Sequence, residues 1–223
     1  MVVGGVAMLL WVVVVWQWED PFTALYTRWQ QHRLASRYDE RFSTFRPLRP
    51  PAATLAAERR TIALEAARYR RMSKKGDPIG RIKVPRLGLN MILVNGTDHD
   101  TLEKGPGRDL RTFMPGQGEL VYIAGHRTTF LAPFSHIDSL RRGDRVTLEL
   151  PYATFVYRIV RHRIVKSDDL SVLRSHGREV VVLQACHPRF FASHRYLAYA
   201  NPVRVEPRVG RAYSAAQAAA AVR

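Results

Sequence analysis

One apolar stretch that ends in the chain's only thiol decides how the fold is interpreted, Val180-Val181-Val182-Leu183-Gln184-Ala185-Cys186-His187-Pro188. Short β-branched runs bounded by proline are typical of buried β-strands. A lone cysteine cannot close an intramolecular disulfide, and it cannot supply the several thiolates of a structural zinc or iron–sulfur site. Cys186 is therefore either a small core residue or a nucleophile.

Similar runs recur on both sides of this stretch, punctuated by glycine, proline and aspartate. They predict strands over 79–84, 89–94, 119–124, 145–150, 155–165, 180–185 and 196–205. Short helical pieces are expected at 101–103 and 134–140. Seven or eight short strands between residues 77 and 207 indicate an all-β barrel or sandwich.

The region before the strands is expected to be a linker, residues 19–76, that contains one amphipathic helix over 54–72. That helix carries an apolar stripe and should pack against the following domain. Residues 22–34 are aromatic and basic with possible helical spacing, and 46–51 are proline-rich, which breaks regular structure. The alanine-rich residues 208–223 are expected to form a disordered or frayed helical tail.

The first residues have the composition of a membrane segment. Residues 2–16 are uncharged, and Trp16 and Trp18 stand where an interfacial aromatic belt would lie. No small-residue cleavage site follows, so residues 1–18 are expected to be an uncleaved single-pass anchor. Arg28, Arg33 and Arg37 on its C-terminal side favour a cytoplasmic domain, although large domains translocate largely regardless of charge.

The chain is strongly basic, with 35 Lys and Arg against 19 Asp and Glu and a net charge of +16. Such a balance favours either nucleic acid or an anionic membrane or cell-wall polymer as a partner. No zinc-finger frame or RNA-binding aromatic motif accompanies the basic residues, which disfavours nucleic acid.

A thiol nucleophile needs a partner that stabilises the thiolate and protonates a leaving amine, and histidine is the usual one. His126 follows a predicted strand, at a place where barrels carry reactive side chains. Arg195 opens the last predicted strand and would stabilise a thiolate or a developing oxyanion. Taken singly, each would more often be an ordinary polar surface residue.

The two other histidines near the thiol are less suitable partners. His187 should face away from Cys186, because adjacent strand residues point to opposite faces. A zinc site of Cys186, His187 and His194 is conceivable, but this spacing matches no usual structural frame. We expect no metal and no cofactor.

Three blocks together resemble the signature motifs of sortases, most of all the class E sortases of Gram-positive actinobacteria. The blocks are Gly125-His126-Arg127-Thr128-Thr129-Phe130 with Ala132-Pro133-Phe134, then Leu183-Gln184-Ala185-Cys186-His187-Pro188, then His194-Arg195. Residues 79–90, 96–98 and 102–107 match the first strands and loop of that family. The resemblance extends over residues 78–206.

The resemblance implies a closed eight-stranded β-barrel on a membrane anchor, outside the cytoplasm. Cys186 would attack the Thr carbonyl of a Leu-Pro-x-Thr-Gly-like or Leu-Ala-x-Thr-Gly-like sorting signal and form a thioacyl enzyme. His126 would protonate the departing amine, and Arg195 would hold the carbonyl or oxyanion. The implied partners are secreted proteins with sorting signals, a peptidoglycan precursor or other amine acceptor, and the membrane, but no nucleic acid.

Two further residues are candidates for substrate contact. Thr128 lies in the histidine block, and Ala185 stands where this family usually has a threonine before the cysteine. If that hydroxyl assists substrate binding, its absence would alter rate or preference.

Two other functions remain open. The L,D-transpeptidases also use a cysteine on cell-wall substrates, but their Ser-His-Gly-Cys block is missing, because Arg178 follows Ser175-His176-Gly177. The other alternative is a degenerate, non-catalytic barrel that binds cell-wall polymer at the membrane surface.

Overall fold

The structure, a computed structural model, describes residues 4–6, 21–50 and 54–215. Two helices come first, α1 (Pro21–Thr44) and α2 (Leu55–Met72), and a third short helix, α3 (His99–Leu102), lies within the strand region. The strands are β1 (Pro78–Val84), β2 (Leu89–Asn95), β3 (Gly107–Arg108), β4 (Leu120–Ala124), β5 (Arg145–Glu149), β6 (Ala153–Lys166), β7 (Val180–His187), β8 (His194–Pro207) and β9 (Tyr213–Ser214). Short 3-10 turns occur at Pro85–Leu87, Ile137–Ser139 and Leu170–Leu173.

Eight of these strands close into a barrel. Their order is β6-β5-β1-β2-β3-β4-β7-β8, and pairing between β8 and β6 completes the circle, while β9 adds to β8. Two neighbouring pairs, β2–β3 and β4–β7, are parallel, and the other pairs are antiparallel. Register shifts in the long β6–β8 pairing provide the local bends that closure requires. The predicted all-β, closed eight-stranded barrel with short helices is confirmed.

The first half of strand β7, residues 180–183, is apolar because both of its faces are covered. Val181, Leu183 and Ala185 point into the main core. Val182 belongs to a second cluster with Leu197, on the opposite face, against which the segment between β6 and β7 packs. Because both faces are buried there, the sequence of residues 180–183 is continuously apolar rather than alternating.

All seven predicted strands are present, but β3 and β9 were not predicted. Each has only two residues, which is too short for a periodic pattern. In β3, a Cβ on Gly107 would collide with the backbone oxygen of Gly96, so glycine is required by the close approach of two chains. Residues 208–215 of the expected tail are described and include β9, whereas residues 216–223 fall outside the described residues.

The helix predicted over 54–72 corresponds to α2. The Thr54 hydroxyl accepts a hydrogen bond from the N–H of Ala57 at 3.2 Å and so caps its N-terminus. Ile62, Ala66 and Tyr69 are buried in the barrel core cluster. The helix therefore closes one side of the core.

The region before α2 differs from the expected linker, because residues 21–44 form one 24-residue helix that docks on the barrel. Leu34 and Tyr38 pack against Ile92 and Val94 of β2. The Gln31 amide both accepts from the N–H of Ile92 (2.6 Å) and donates to its carbonyl (3.1 Å). The residues of α1 that face the barrel include polar ones such as Gln31, so the sequence of this helix lacks a clear amphipathic period.

The candidate anchor, residues 1–18, lies outside the described residues apart from 4–6. Among the residues that are described, no helix is both long and apolar enough to cross a bilayer.

Candidate active site

The parallel pairing of β4 and β7 brings His126 and Cys186 to the same edge of the barrel. Ala124 and Gln184 are register partners, and His126 and Cys186 each lie two residues beyond that pair. The N–H of Gly125 continues the pairing by donating to the Gln184 carbonyl at 3.0 Å. Arg195 is the cross-strand partner of Cys186 in the antiparallel β7–β8 pair. All three side chains line one cleft of about 270 Å³.

The His126 imidazole is half-buried beneath an aromatic ring. The centroid of Phe130 lies 5.0 Å from that of His126, with the two rings tilted by 40°. Its Nε2 is buried and has no hydrogen-bond partner among the described residues. Burial lowers the pKa of His126, and the nearby His99 lowers it further. Both effects favour the neutral imidazole, and no hydrogen bond to the described residues has to break before Nε2 can bond a substrate.

The loop that carries His126 has an unusual backbone. Phe130, Leu131 and Ala132 all have positive φ, at 54°, 60° and 35°, a region that non-glycine residues occupy at a cost. The N–H of Phe130 donates to the Thr23 hydroxyl of α1 at 3.2 Å. Helix α1 thus holds the loop that covers the histidine.

Arg127, next to His126, is almost fully buried, with 4% of its surface exposed. Its Nη1 lies 3.2 Å from the Cys186 carbonyl oxygen and 3.1 Å from Nδ1 of His187. Its Nη2 pairs with Asp138 at 2.8 Å. One guanidinium therefore joins the end of β7, which carries the thiol, to the loop that carries the histidine.

The Arg195 guanidinium is hydrogen-bonded within the described residues through one nitrogen, Nη1. Its Nη1 donates to the carbonyls of Ala192 (2.7 Å) and His194 (3.0 Å) in its own loop. The described residues supply no acceptor for its remaining N–H groups. Those groups are free to hydrogen-bond a ligand in the cleft.

The cleft has one apolar wall and one polar wall. The apolar wall comes from β6 and the following segment, with Val165, Leu170, Val172 and Leu173. The polar wall includes Asp109, which Arg111 holds by two bonds of 3.0 and 2.7 Å. Burial opposes ionisation of this carboxyl, but the Arg111 hydrogen bonds prevail and lower the pKa of Asp109.

Comparison with known proteins agrees with this arrangement. A family model described as the sortase domain matches residues 82–203, more than half of the chain. The chain belongs to the sortase family.

Its relatives include both sortase D and sortase E proteins. Sortase D of Bacillus subtilis is 33% identical over 132 residues, which cover 57% of this chain and 65% of that protein. Sortase SrtE1 of Streptomyces coelicolor is 27% identical over 150 residues, which cover 60% of this chain and 42% of that protein. The matches thus span less than two thirds of the length of these curated relatives.

A solved structure shows the shared fold. The sortase D5 transpeptidase of Clostridium perfringens superposes with a TM-score of 0.61 at 24% identity, covering 78% of this chain and 98% of that one. At this level of identity the likeness concerns the fold alone.

Two of the residues expected to contact substrate in this sortase do not line the cleft. Ala185 is fully buried in the barrel core, because strand alternation points Gln184 and Cys186 outward and Ala185 inward. Thr128 is half-buried in the loop beyond His126, outside the cleft lining that the described residues form. A threonine in place of Ala185 would likewise point into the core.

The histidines beside the thiol have other contacts. His187 faces Arg127, and Nδ1 of His194 lies 3.0 Å from the Ser193 hydroxyl. Within the described part of the chain, no three His, Cys, Asp or Glu side chains come together as metal ligands.

Sequence reasoning missed Arg127 and the Asp109–Arg111 pair. Isolated charged residues in a chain with 35 Lys and Arg are usually solvent-exposed, and no local pattern marks Arg127 and Asp109 as buried. The position of Arg127 directly after His126, within the histidine block, was the one signal that could have singled it out.

Proposed function

We propose that this sortase is a membrane-anchored cysteine transpeptidase. It cleaves a Leu-Pro-x-Thr-Gly-like or Leu-Ala-x-Thr-Gly-like sorting signal between Thr and Gly, and it transfers the protein to an amine of the cell wall. The observation that carries the proposal is the convergence of Cys186, His126 and Arg195 on one cleft.

In the first half-reaction, the Cys186 thiolate attacks the Thr carbonyl carbon and a C–S bond forms. The Arg195 N–H groups stabilise the oxyanion that develops. The C–N bond to Gly then breaks, and the His126 imidazolium gives its proton to the departing amine. The products are a thioester on Cys186, neutral His126 and a free Gly amine.

In the second half-reaction, His126 takes a proton from the incoming amine as the amine nitrogen attacks the thioester carbon. The C–S bond breaks, an amide forms, and Cys186 leaves as the thiolate. The lowered pKa of His126 favours a neutral imidazole at rest, so His126 becomes the imidazolium by taking the proton of Cys186.

The two walls of the cleft fit such a peptide. The apolar wall offers a place for the leading Leu side chain, and the rest of the signal runs toward Cys186. Val165 and the residues around Leu173 lie on the same side of the cleft as the outer face of β7, where the thiol points. These contacts favour a catalytic role over a degenerate barrel.

The proposed anchor rests on composition, and the proposed side of the membrane rests on the resemblance to sortases rather than on the flanking charges. The uncharged residues 2–16 would anchor the chain, with the barrel on the outer side of the membrane. Signal-bearing proteins and wall amines are found on that side.

The full chain should be incubated with a library of Leu-x-x-Thr-Gly peptides and an added amine. We expect products in which the Thr carbonyl is joined to that amine, resolved by chromatography and mass. If no peptide of this type is cleaved by folded protein, the proposal is wrong.

The acid limb of the kcat/KM profile is expected to have its midpoint below the ordinary histidine value of about 6.5. Below its pKa the His126 imidazole is already protonated and cannot take the proton of Cys186, and burial lowers that pKa. His99→Gln should move the midpoint upward, because His99 is a second cause of the lowering.

The exposed His32 of α1 provides the matched control, and His32→Gln should leave the midpoint in place. Direct NMR titration of His126 checks the assignment. A midpoint above 6.5 that both substitutions leave unchanged would show that His126 is not the group that titrates.

A further inference from the structure

A second groove, of about 410 Å³, lies beside the active-site cleft. Val172 lines both, so the segment between β6 and β7 separates the two. Arginines stand on both sides of the groove: Arg161 and Arg163 come from β6, and Arg174 and Arg178 from the separating segment. No Asp or Glu lies among the described residues that line it.

Most of this positive charge is not neutralised. Arg163 has one distant carboxylate, Asp169 at 4.0 Å. Arg161, Arg174 and Arg178 have no ion-pair partner in the described part of the chain. Like charges that line a concave surface repel one another and raise the local positive potential, so the groove attracts anions.

One of these cations is held in place. The Arg161 guanidinium lies 4.0 Å from the centroid of the Tyr199 ring, its cross-strand partner. Stacking fixes the plane of the guanidinium and leaves its edge N–H groups available for the bidentate bonds that phosphate oxygens accept. Less side-chain entropy is then lost on binding.

The shape of the groove selects among phosphate-bearing ligands. A volume of about 410 Å³ between two arginine-bearing walls exceeds what one phosphate fills, and a concave site surrounds a chain rather than resting on a flat bilayer. Proteins that bind single-stranded nucleic acids supply aromatic faces on which the bases stack. The described lining holds one Tyr and no Phe or Trp, and Arg161 already covers a face of that residue, Tyr199; the imidazole of His176 is the other aromatic ring.

We propose that this groove binds an extended phosphodiester polymer that lacks stacking bases, and holds it beside the active-site cleft. The arginine side chains donate hydrogen bonds to the phosphate oxygens of the polymer. The part of the polymer between the phosphates makes no specific contact. Binding does not depend on the thiol chemistry, so it is measured with no sorting signal present.

The test uses the full chain and a labelled synthetic poly(glycerol phosphate) oligomer, with affinity followed by fluorescence anisotropy over a range of salt concentrations. The groove variant is Arg174→Gln with Arg178→Gln. The control with the same charge change is Arg71→Gln with Arg142→Gln, two exposed arginines outside the groove. We expect the groove variant to lose at least about tenfold in affinity. The slope of log affinity against log salt concentration should fall in magnitude by about two. The control pair should lose less than about threefold.

Three results would overturn the proposal. Equal losses for the groove and control pairs would mean that net charge alone governs binding. An oligonucleotide of equal charge that binds as tightly would contradict the choice of ligand. The choice of ligand would also be contradicted if the groove variant lost as much affinity for phosphatidylglycerol vesicles as for the polymer.

Discussion

Cys186→Ala is expected to reduce cleavage of a sorting-signal peptide to the uncatalysed rate, a loss of at least about 10⁴-fold. The chain has no second cysteine, so no other thiol can form the thioester. Peptide cleavage measured by chromatography gives the rate. Because the side chain is only half-buried, the free energy of unfolding should change little.

Thermal unfolding of the variant separates loss of chemistry from loss of fold. A folded variant that still cleaves the peptide would remove Cys186 from the mechanism.

Reaction of the unsubstituted chain with a methanethiosulfonate reagent gives a second readout. Failure to modify the thiol in folded protein would show it to be inert and would support the non-catalytic barrel.

Arg127→Met is expected to lower kcat by about 10- to 100-fold, with little change in KM. Methionine keeps the buried apolar stem but loses the guanidinium that joins the Cys186 carbonyl to the histidine loop. Thiol and imidazole would then lose their mutual alignment. We also expect the free energy of unfolding to fall by about 2 to 3 kcal/mol, because buried hydrogen bonds to a charged group are lost.

Arg127→Lys distinguishes a positioning role from a structural one. Lysine keeps a charge for Asp138 but cannot reach all the acceptors of the guanidinium. It should therefore recover much of the stability while kcat stays low. The exposed Arg142→Gln serves as a control and should change neither quantity. A kcat that simply follows stability in all three variants would show that Arg127 has no separate part in alignment.

The barrel could be predicted from the sequence because its strands carry strong local signals. β7 begins with three valines and a leucine, and the other long strands are followed within a few residues by glycine, proline or aspartate. The identities of Cys186, His126 and Arg195 rested on the uniqueness of the thiol and on a resemblance to sortases. Their meeting in one cleft depends on the parallel register of β4 and β7, which no local pattern specifies.

The features that could not be predicted depend on contacts between residues distant in the chain. Helix α1 docks through Gln31, which pairs with the backbone of Ile92, 61 residues away. Arg127 is buried because it has acceptors near Ser135 and at Cys186, the latter 59 residues away. The inward direction of Ala185 follows from strand alternation once the outward direction of Cys186 is known.

The most direct test of the proposed chemistry is the intact mass of the full chain after incubation with a Leu-x-x-Thr-Gly peptide library, without an amine acceptor and with a rapid acid quench. We expect a mass increase equal to the acyl fragment that ends at Thr, located on Cys186 by peptide mapping and removed by added amine. If protein of confirmed fold carries no such adduct with any peptide of this type, the chain does not act through a thioacyl enzyme.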